Sequence, residues 1–286
     1  MSSLVVDTNL SALQAINDLN ATNNSMTSAI SKLSSGLQIQ TAATGPAQYV
    51  ISQALQSQSS GYNTAIQNAQ DGVSLIQTAS GALGQISSIL QTMDQLALTS
   101  ANGATQTTTS LTANQAEFTA LKKDITEIAQ TTTFGKTQLL MGGTSGGAAD
   151  TAIQFTGTLQ VGAFDNANQQ IKLAVSAVTT GALGITGTVS IASAASAATA
   201  VSSIQTALAK VDAVASTVGA TQNELQAIVA NLTVGQQNLQ AANSQLVNVN
   251  MAQEMTTFST DQILMQTGVS MLAQAQQAPS LVLKLI

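Results

Sequence analysis

The chain has 286 residues, of which 44% are apolar, 7% charged and 2% aromatic, with a formal net charge of −6. An average soluble domain carries about 25% charged residues, so this surface must be built from Gln, Asn, Ser and Thr. With no Cys, His, Trp or Arg, disulfides, thiolate and imidazole chemistry and zinc sites are excluded, and no basic patch exists for a nucleic-acid backbone.

The length suits one or two domains. So few aromatics favour thin seams of Leu, Ile and Ala over one broad core. No cleavable export signal is legible, because the first basic residue is Lys32 and Asp7 interrupts the early apolar residues. The uncharged segment 173–209 exceeds the ~20 residues a membrane span needs. Its Gly181, Gly184 and Gly187, and its Ser, Thr and Ala content, argue against a span.

In chain order, residues 4–35 read as a helix. Leu19, Met26, Ile30, Leu33 and Leu37 step by 7, 4, 3 and 4, led in by Val6, Leu10 and Leu13. Residues 7–9 offer N-cap chemistry, Gly36 a C-cap, and 41–46 (TAATGP) a breaker and linker. Residues 47–100 read as a longer helix with Ile76, Leu83, Leu90 and Ala97 at sevenfold spacing. A turn over 100–110 leads to a third helix over 111–131, marked by Leu111, Phe118, Leu121, Ile125 and Ile128. Residues 131–147 read as a loop.

The period then falls to 2. Ile153 and Phe155, Leu159 and Val161, and Ile171, Leu173 and Val175 alternate with polar residues, and a turn at 165–168 joins the last two runs. This predicts a small antiparallel β element, with a further short strand possible within 181–191. Helix resumes near Ala194 and runs into the strongest repeat in the chain. There Leu225, Leu232, Leu239 and Leu246 recur every seven residues, with Ile228, Gly235, Ala242 and Val249 three later. Past Val249 the seam shifts to Met251, Met255, Phe258, Gln262, Met265, Val269, Leu272 and Gln276. Read as one rod, this stretch of about fifty residues would be roughly 75 Å long. Pro279 is expected to end it, before the apolar tail 281–286.

Such a rod cannot cover its own stripe. The expectation is a mainly α chain of long antiparallel coiled-coil helices formed by the two terminal segments, with a small antiparallel β element in the middle. Residues 225–246 are expected against the helix carrying Leu83 and Leu90, and 251–272 against the helix spanning 26–37. The polar positions Asn243, Asn250, Gln262 and Gln276 are either tolerated defects or register-setting residues. No catalytic, cofactor or metal site is expected: the four Glu and nine Asp are scattered, and 142–147 (GGTSGG) lacks the Gly-Lys-Ser/Thr of a phosphate loop.

Several runs together resemble bacterial flagellins: 9–12 (NLSA), 30–39 (ISKLSSGLQI), 68–81 (NAQDGVSLIQTASG), 159–163 (LQVGA), 219–223 (GATQN) and 262–283 (QILMQTGVSMLAQAQQAPSLVL). The resemblance implies a homopolymeric subunit of the extracellular flagellar filament, exported without a cleaved signal peptide, with no membrane span and no nucleic-acid partner. It further implies flagellar cap and junction proteins as partners, and an export chaperone at the C-terminal tail. Segments 1–43 with 244–286 would form the inner filament tube, 44–140 with 192–243 the outer core, and 141–191 the tip.

The expected assembly seam is Leu19, Met26, Ile30, Leu33, Leu37, Ile76, Leu83, Leu90, Leu225, Leu232, Leu239, Leu246, Met255, Phe258, Met265, Val269 and Leu272. Two departures stand out. Residues 38–48 are uncharged where flagellins carry charge, and 91–96 (QTMDQL) lacks the arginines of members bound by the innate immune receptor, so the resemblance implies no such recognition. The runner-up reading is a hook–filament junction protein; a surface coiled-coil adhesin is the reading from another class.

Overall fold

Helix α1 (Leu10–Ser35) starts where the Asn9 side chain accepts from Ala12 N and stops at Gly36, whose φ of +73° a glycine adopts without strain. The computed structural model describes residues 9–141, 154–164 and 169–283. Readings that fall on Val6, Asp7, Ile153, the 142–147 glycines, the 165–168 turn and the last three residues lie outside it. After the 41–46 linker comes α2 (Pro46–Ala101). Its first residue is a proline, at the position where a missing N–H removes no helical bond. Thr107 and Ser110 form a capping box that starts α3 (Thr108–Thr131).

The segment after α3, expected as a loop, instead holds a two-residue hairpin. Strands β1 (Thr133–Phe134) and β2 (Thr137–Gln138) turn on Gly135 at φ +62°. Strands β3 (Gln154–Gln160) and β4 (Gln170–Ser176) form the expected antiparallel element, registered from Gln154↔Ser176 to Gln160↔Gln170. On β4, Ile171, Leu173 and Val175 point inward while Lys172 and Ala174 face out. The strand expected within 181–191 is absent. That segment opens with a short helix α4 (Thr180–Leu183), capped by Thr179 and by Gly184 at φ +82°.

The rod expected over 225–276 is two helices, α5 (Ala194–Val247) and α6 (Met251–Leu283). The break falls where the heptad seam changes register. Asn250, read as a possible seam residue, caps α6 by accepting from Gln253 N at 3.3 Å. Pro279 does not end α6, which continues to Leu283.

The chain divides into two units. Unit 2 (Ser59–Gln237) holds the main core. Within it α2 buries Ala69, Gly72, Ile76, Ala79, Leu83, Ile86, Leu90, Met93 and Ala97, stepping by three and four. Phe118 and Ile125 of α3, Leu173 of β4, and Ile204 and Val211 of α5 close on that stripe. Each large buried side chain contributes about 1.5–3 kcal/mol. Ser100, buried at the end of α2, accepts from Asn114 Nδ2 of α3 at 3.0 Å.

Residues 180–191 are tied down by polar groups. Lys122 Nζ donates to the Thr186 and Val189 carbonyls (3.3 and 3.2 Å), Lys210 Nζ to that of Ala182 (2.9 Å), and Gln115 Oε1 accepts from Ile191 N (2.6 Å). In this unit α5 runs antiparallel to α2, with Leu225 over Gly72 and Gly235 over Tyr62. Leu225 therefore packs on α2, the helix that carries Leu83 and Leu90, nearer its N-terminus than either. A sevenfold repeat fits every register seven residues apart, so chain connection decides among them.

Unit 1 (Met1–Gln58 with Asn238–Ile286) is built differently. Here α1 and α6 pair antiparallel: Leu19 meets Gly268, Lys32 meets Glu254, and Leu37 bridges to Asn248. That bridge is double, from Gln38 N to the Val247 carbonyl at 2.7 Å and from Val249 N to the Gly36 carbonyl at 3.0 Å. Ser52 of α2 donates to Asn243 Oδ1 of α5 at 2.9 Å. Asn243 is thus a satisfied polar partner inside the pair.

Candidate assembly surface

The inward positions of α1 are Ala12, Ala15, Leu19, Thr22, Met26, Ala29 and Leu33; those of α6 are Glu254, Phe258, Asp261, Met265, Gly268, Leu272 and Ala275. Both step by three and four. Four of the seven in each set are small or polar. The large apolar residues Leu10, Leu13, Ile16 and Ile30 of α1 and Met251, Met255, Ile263, Leu264, Val269 and Met271 of α6 face away from the pair. Leu10 is 73% exposed and Met271 63%. Val50 and Ile51 of α2 add to this outward set. Among the described residues of unit 1 only Ala12, Ala29 and Val247 are buried.

The expected seam positions divide accordingly. Ile76, Leu83, Leu90, Leu225 and Leu232 are buried in unit 2. Leu19, Met26, Leu33, Leu37, Leu239, Leu246, Phe258, Met265 and Leu272 are half-buried in unit 1. Ile30, Met255 and Val269 are exposed and take no part in the α1–α6 seam, and Leu10 and Leu13 lie with them. Their inward neighbours are Ala29, Glu254 and Gly268, residues that hydrophobicity alone does not single out. Gln262 and Gln276 are likewise exposed, not in the seam.

Electrostatics are sparse. Lys32 Nζ and Glu254 Oε1 stand 3.4 Å apart. Asp261 Oδ2, two helical turns on from Glu254 along α6, is enclosed without a hydrogen-bond partner, which weakens the α1–α6 pair as an isolated object. In unit 2, burial pushes the Lys122 amine below its ordinary pKa, 5.4 Å from the centre of the Phe118 ring. Among the described residues no three acidic side chains converge on a point that could hold a metal, and no helix is long and apolar enough to cross a membrane.

An outward stripe of Leu, Ile, Val and Met with small residues turned inward is chemically suited to one task, burial against other helices. Comparison with known proteins agrees. Residues 6–145 match the bacterial flagellin N-terminal helical region, and residues 201–286 the bacterial flagellin C-terminal helical region. Flagellin from Bacillus subtilis (strain 168) is 35% identical over 98% of this chain and 99% of its own length. Flagellin from Halalkalibacterium halodurans is 38% identical over 99% of this chain and 100% of its own. The flagellar filament 33 kDa core protein of Treponema phagedenis is 32% identical over 99% and 100%. A solved structure described as a flagellar hook-associated protein from Vibrio parahaemolyticus shares the fold, with a TM-score of 0.60 at 13% identity over 72% of this chain and 100% of that one. With both helical regions present, and relatives matched from end to end, this chain belongs to the bacterial flagellin family.

Proposed function

We propose that this chain is a structural subunit that self-assembles with copies of itself into a bacterial flagellar filament, the extracellular polymer that turns motor torque into swimming. The observation that carries the reading is the inverted packing of unit 1, with Ala12, Ala29 and Gly268 inside and Leu10, Leu264 and Met271 outside. Family membership and relatives named as filament proteins support it. The role is structural, not enzymatic. None of these observations favours a hook–filament junction role.

In this reading, segments 1–43 and 244–286 supply the inner tube, 44–140 with 192–243 the outer core, and 141–191 the tip. The outward residues of α1 and α6, including Ile30, Met255 and Val269, are covered by neighbouring subunits. The apolar C-terminal tail is held by an export chaperone before assembly, and cap and junction proteins bound the finished filament. Leu264→Asp places a charge on the outward face without touching the α1–α6 seam. It is expected to keep native helicity and to lower the rate of growth on filament seeds at least tenfold. Growth at the native rate would overturn the reading.

A further inference from the structure

In an α-helix the carbonyl of residue 275 accepts from the N–H of residue 279. Residue 279 is a proline, and α6 runs on past it to Leu283. Proline has no N–H to donate to the carbonyl four residues back. The Ala275 carbonyl therefore lacks its usual helical donor four residues on. That oxygen is the one to which Asn9 Nδ2 donates, at 2.9 Å, across 266 residues of chain.

Asn9 is at the same time the N-cap of α1. Its Oδ1 accepts from Ala12 N at 3.1 Å and from Ser11 Oγ at 2.7 Å. One side chain thus uses its carbonyl half to start α1 and its amide half to fill the gap that Pro279 opens in α6. We infer that Asn9 and Pro279 together form a clamp that fixes the far end of the α1–α6 pair.

The clamp sits at the end of the pair opposite its backbone bridge. The near end is held by the double bridge between Leu37 and Asn248 and by the Lys32–Glu254 pair. From Lys32 back to Asn9, α1 extends a further 23 residues, about 34 Å at 1.5 Å per residue. Over its last turns the seam offers Leu19 and Leu272 among the small residues Ala12, Ala15, Gly268 and Ala275, which bury little surface. The large seam residues Leu19, Met26 and Leu33 and Phe258, Met265 and Leu272 repeat every seven, so a local slip of one heptad restores the same alternation of large and small. Asn9 is a positioning residue. It acts by holding Leu10, Leu13, Val269 and Met271 in one outward arrangement.

The crosslinking test below reads the pair directly, whereas seeded growth also rests on the filament-subunit role; failure of the clamp and failure of that role are therefore distinguishable. The chain has no cysteine, so Leu19→Cys with Gly268→Cys gives a single thiol pair across the seam. Crosslinking under mild oxidation and seeded growth are measured in the native background, in Asn9→Asp, in Asn9→Ser, in Pro279→Ala and in Asn9→Asp with Pro279→Ala. Aspartate and serine cap helices about as well as asparagine, so both keep the cap and lose the amide donor. Pro279→Ala restores the helical N–H to the Ala275 carbonyl and leaves Asn9 intact.

Each single variant is expected to slow crosslinking and seeded growth at least threefold, and the double variant to be no slower than the slower single, as coupled sites require. Native behaviour of Asn9→Asp and Asn9→Ser would show that Asn9 is a cap alone. Native behaviour of Pro279→Ala, or additive losses in the double variant, would show that the two residues act separately. Either result overturns the clamp.

Discussion

Glu254 Oε1 lies 3.4 Å from Lys32 Nζ inside the α1–α6 seam, where the two side chains are 13% and 25% exposed. It is the one ion pair among the described residues of a chain with 7% charged residues. Exposed pairs are worth about 0–1 kcal/mol, and removing one partner of a shielded pair leaves the other charge unsatisfied. Lys32→Met, which strands the Glu254 carboxylate, is expected to cost about 1–2 kcal/mol and to exceed Glu254→Gln, which keeps an oxygen acceptor. The thermal dissociation temperature of filaments measures both. With one such pair available to screening, 1 M salt should move that temperature far less than either substitution does.

Lys122 gives the molecule a dependence on alkaline pH with a defined sign. Burial lowers its pKa below 10.5 in the folded chain, while in the unfolded chain it keeps its ordinary value near 10.4. Between the lowered value and about 10.5 the unfolded state binds more protons, so this residue makes stability rise with pH across that window. The comparison that isolates Lys122 is with Lys122→Met. Native stability relative to Lys122→Met, read from denaturant midpoints, is expected to increase as pH climbs toward 10.5. A flat difference would contradict the assignment. Loss of the bonds from Lys122 to Thr186 and Val189 offsets part of the gain from removing a buried charge.

Two glycines of α2 predict opposite outcomes for one substitution. A Cβ on Gly81 meets nothing within 4 Å, so Gly81→Ala should stabilise by up to ~1 kcal/mol through helix propensity. A Cβ on Gly61 would stand 2.7 Å from Ala163 Cβ and 3.1 Å from its Cα. Backbone cannot swing aside as a long side chain can, so Gly61→Ala should destabilise by about 1–3 kcal/mol. Denaturant unfolding of the two variants side by side decides both.

The sequence made the helices legible wherever large apolar residues track the buried face. That holds for the 76/83/90 repeat of α2 and for Phe118 and Ile125 of α3, and β4 was equally clear from its alternation. It failed in unit 1 because inward and outward faces there exchange their usual chemistry. Counting large residues places Ile30, Met255 and Val269 in the seam; the structure turns their neighbours Ala29, Glu254 and Gly268 inward instead.

The division of 225–276 was hidden for a different reason. The helix breaks at 248–250 by backbone pairing with residues 36–38, a long-range contact that no local pattern encodes, and by the Asn250 cap. The hairpin at Gly135 and the α4 turn are only a few residues long, below the length at which periodicity speaks. Pro279 was read as a terminator on local grounds, yet α6 continues past it to Leu283.

The central claim is that the outward apolar face of unit 1 is covered in the assembled polymer. Methionine oxidation tests it directly, because Met255 and Met271 lie on that face, 50% and 63% exposed, while Met93 is buried in unit 2. Dilute peroxide applied to free subunits and to filaments, followed by peptide mass mapping, reads each methionine separately. Met255 and Met271 are expected to react readily in the free chain and at least tenfold more slowly in filaments, with Met93 slow in both. Equal reactivity of Met255 and Met271 in the two states would contradict it.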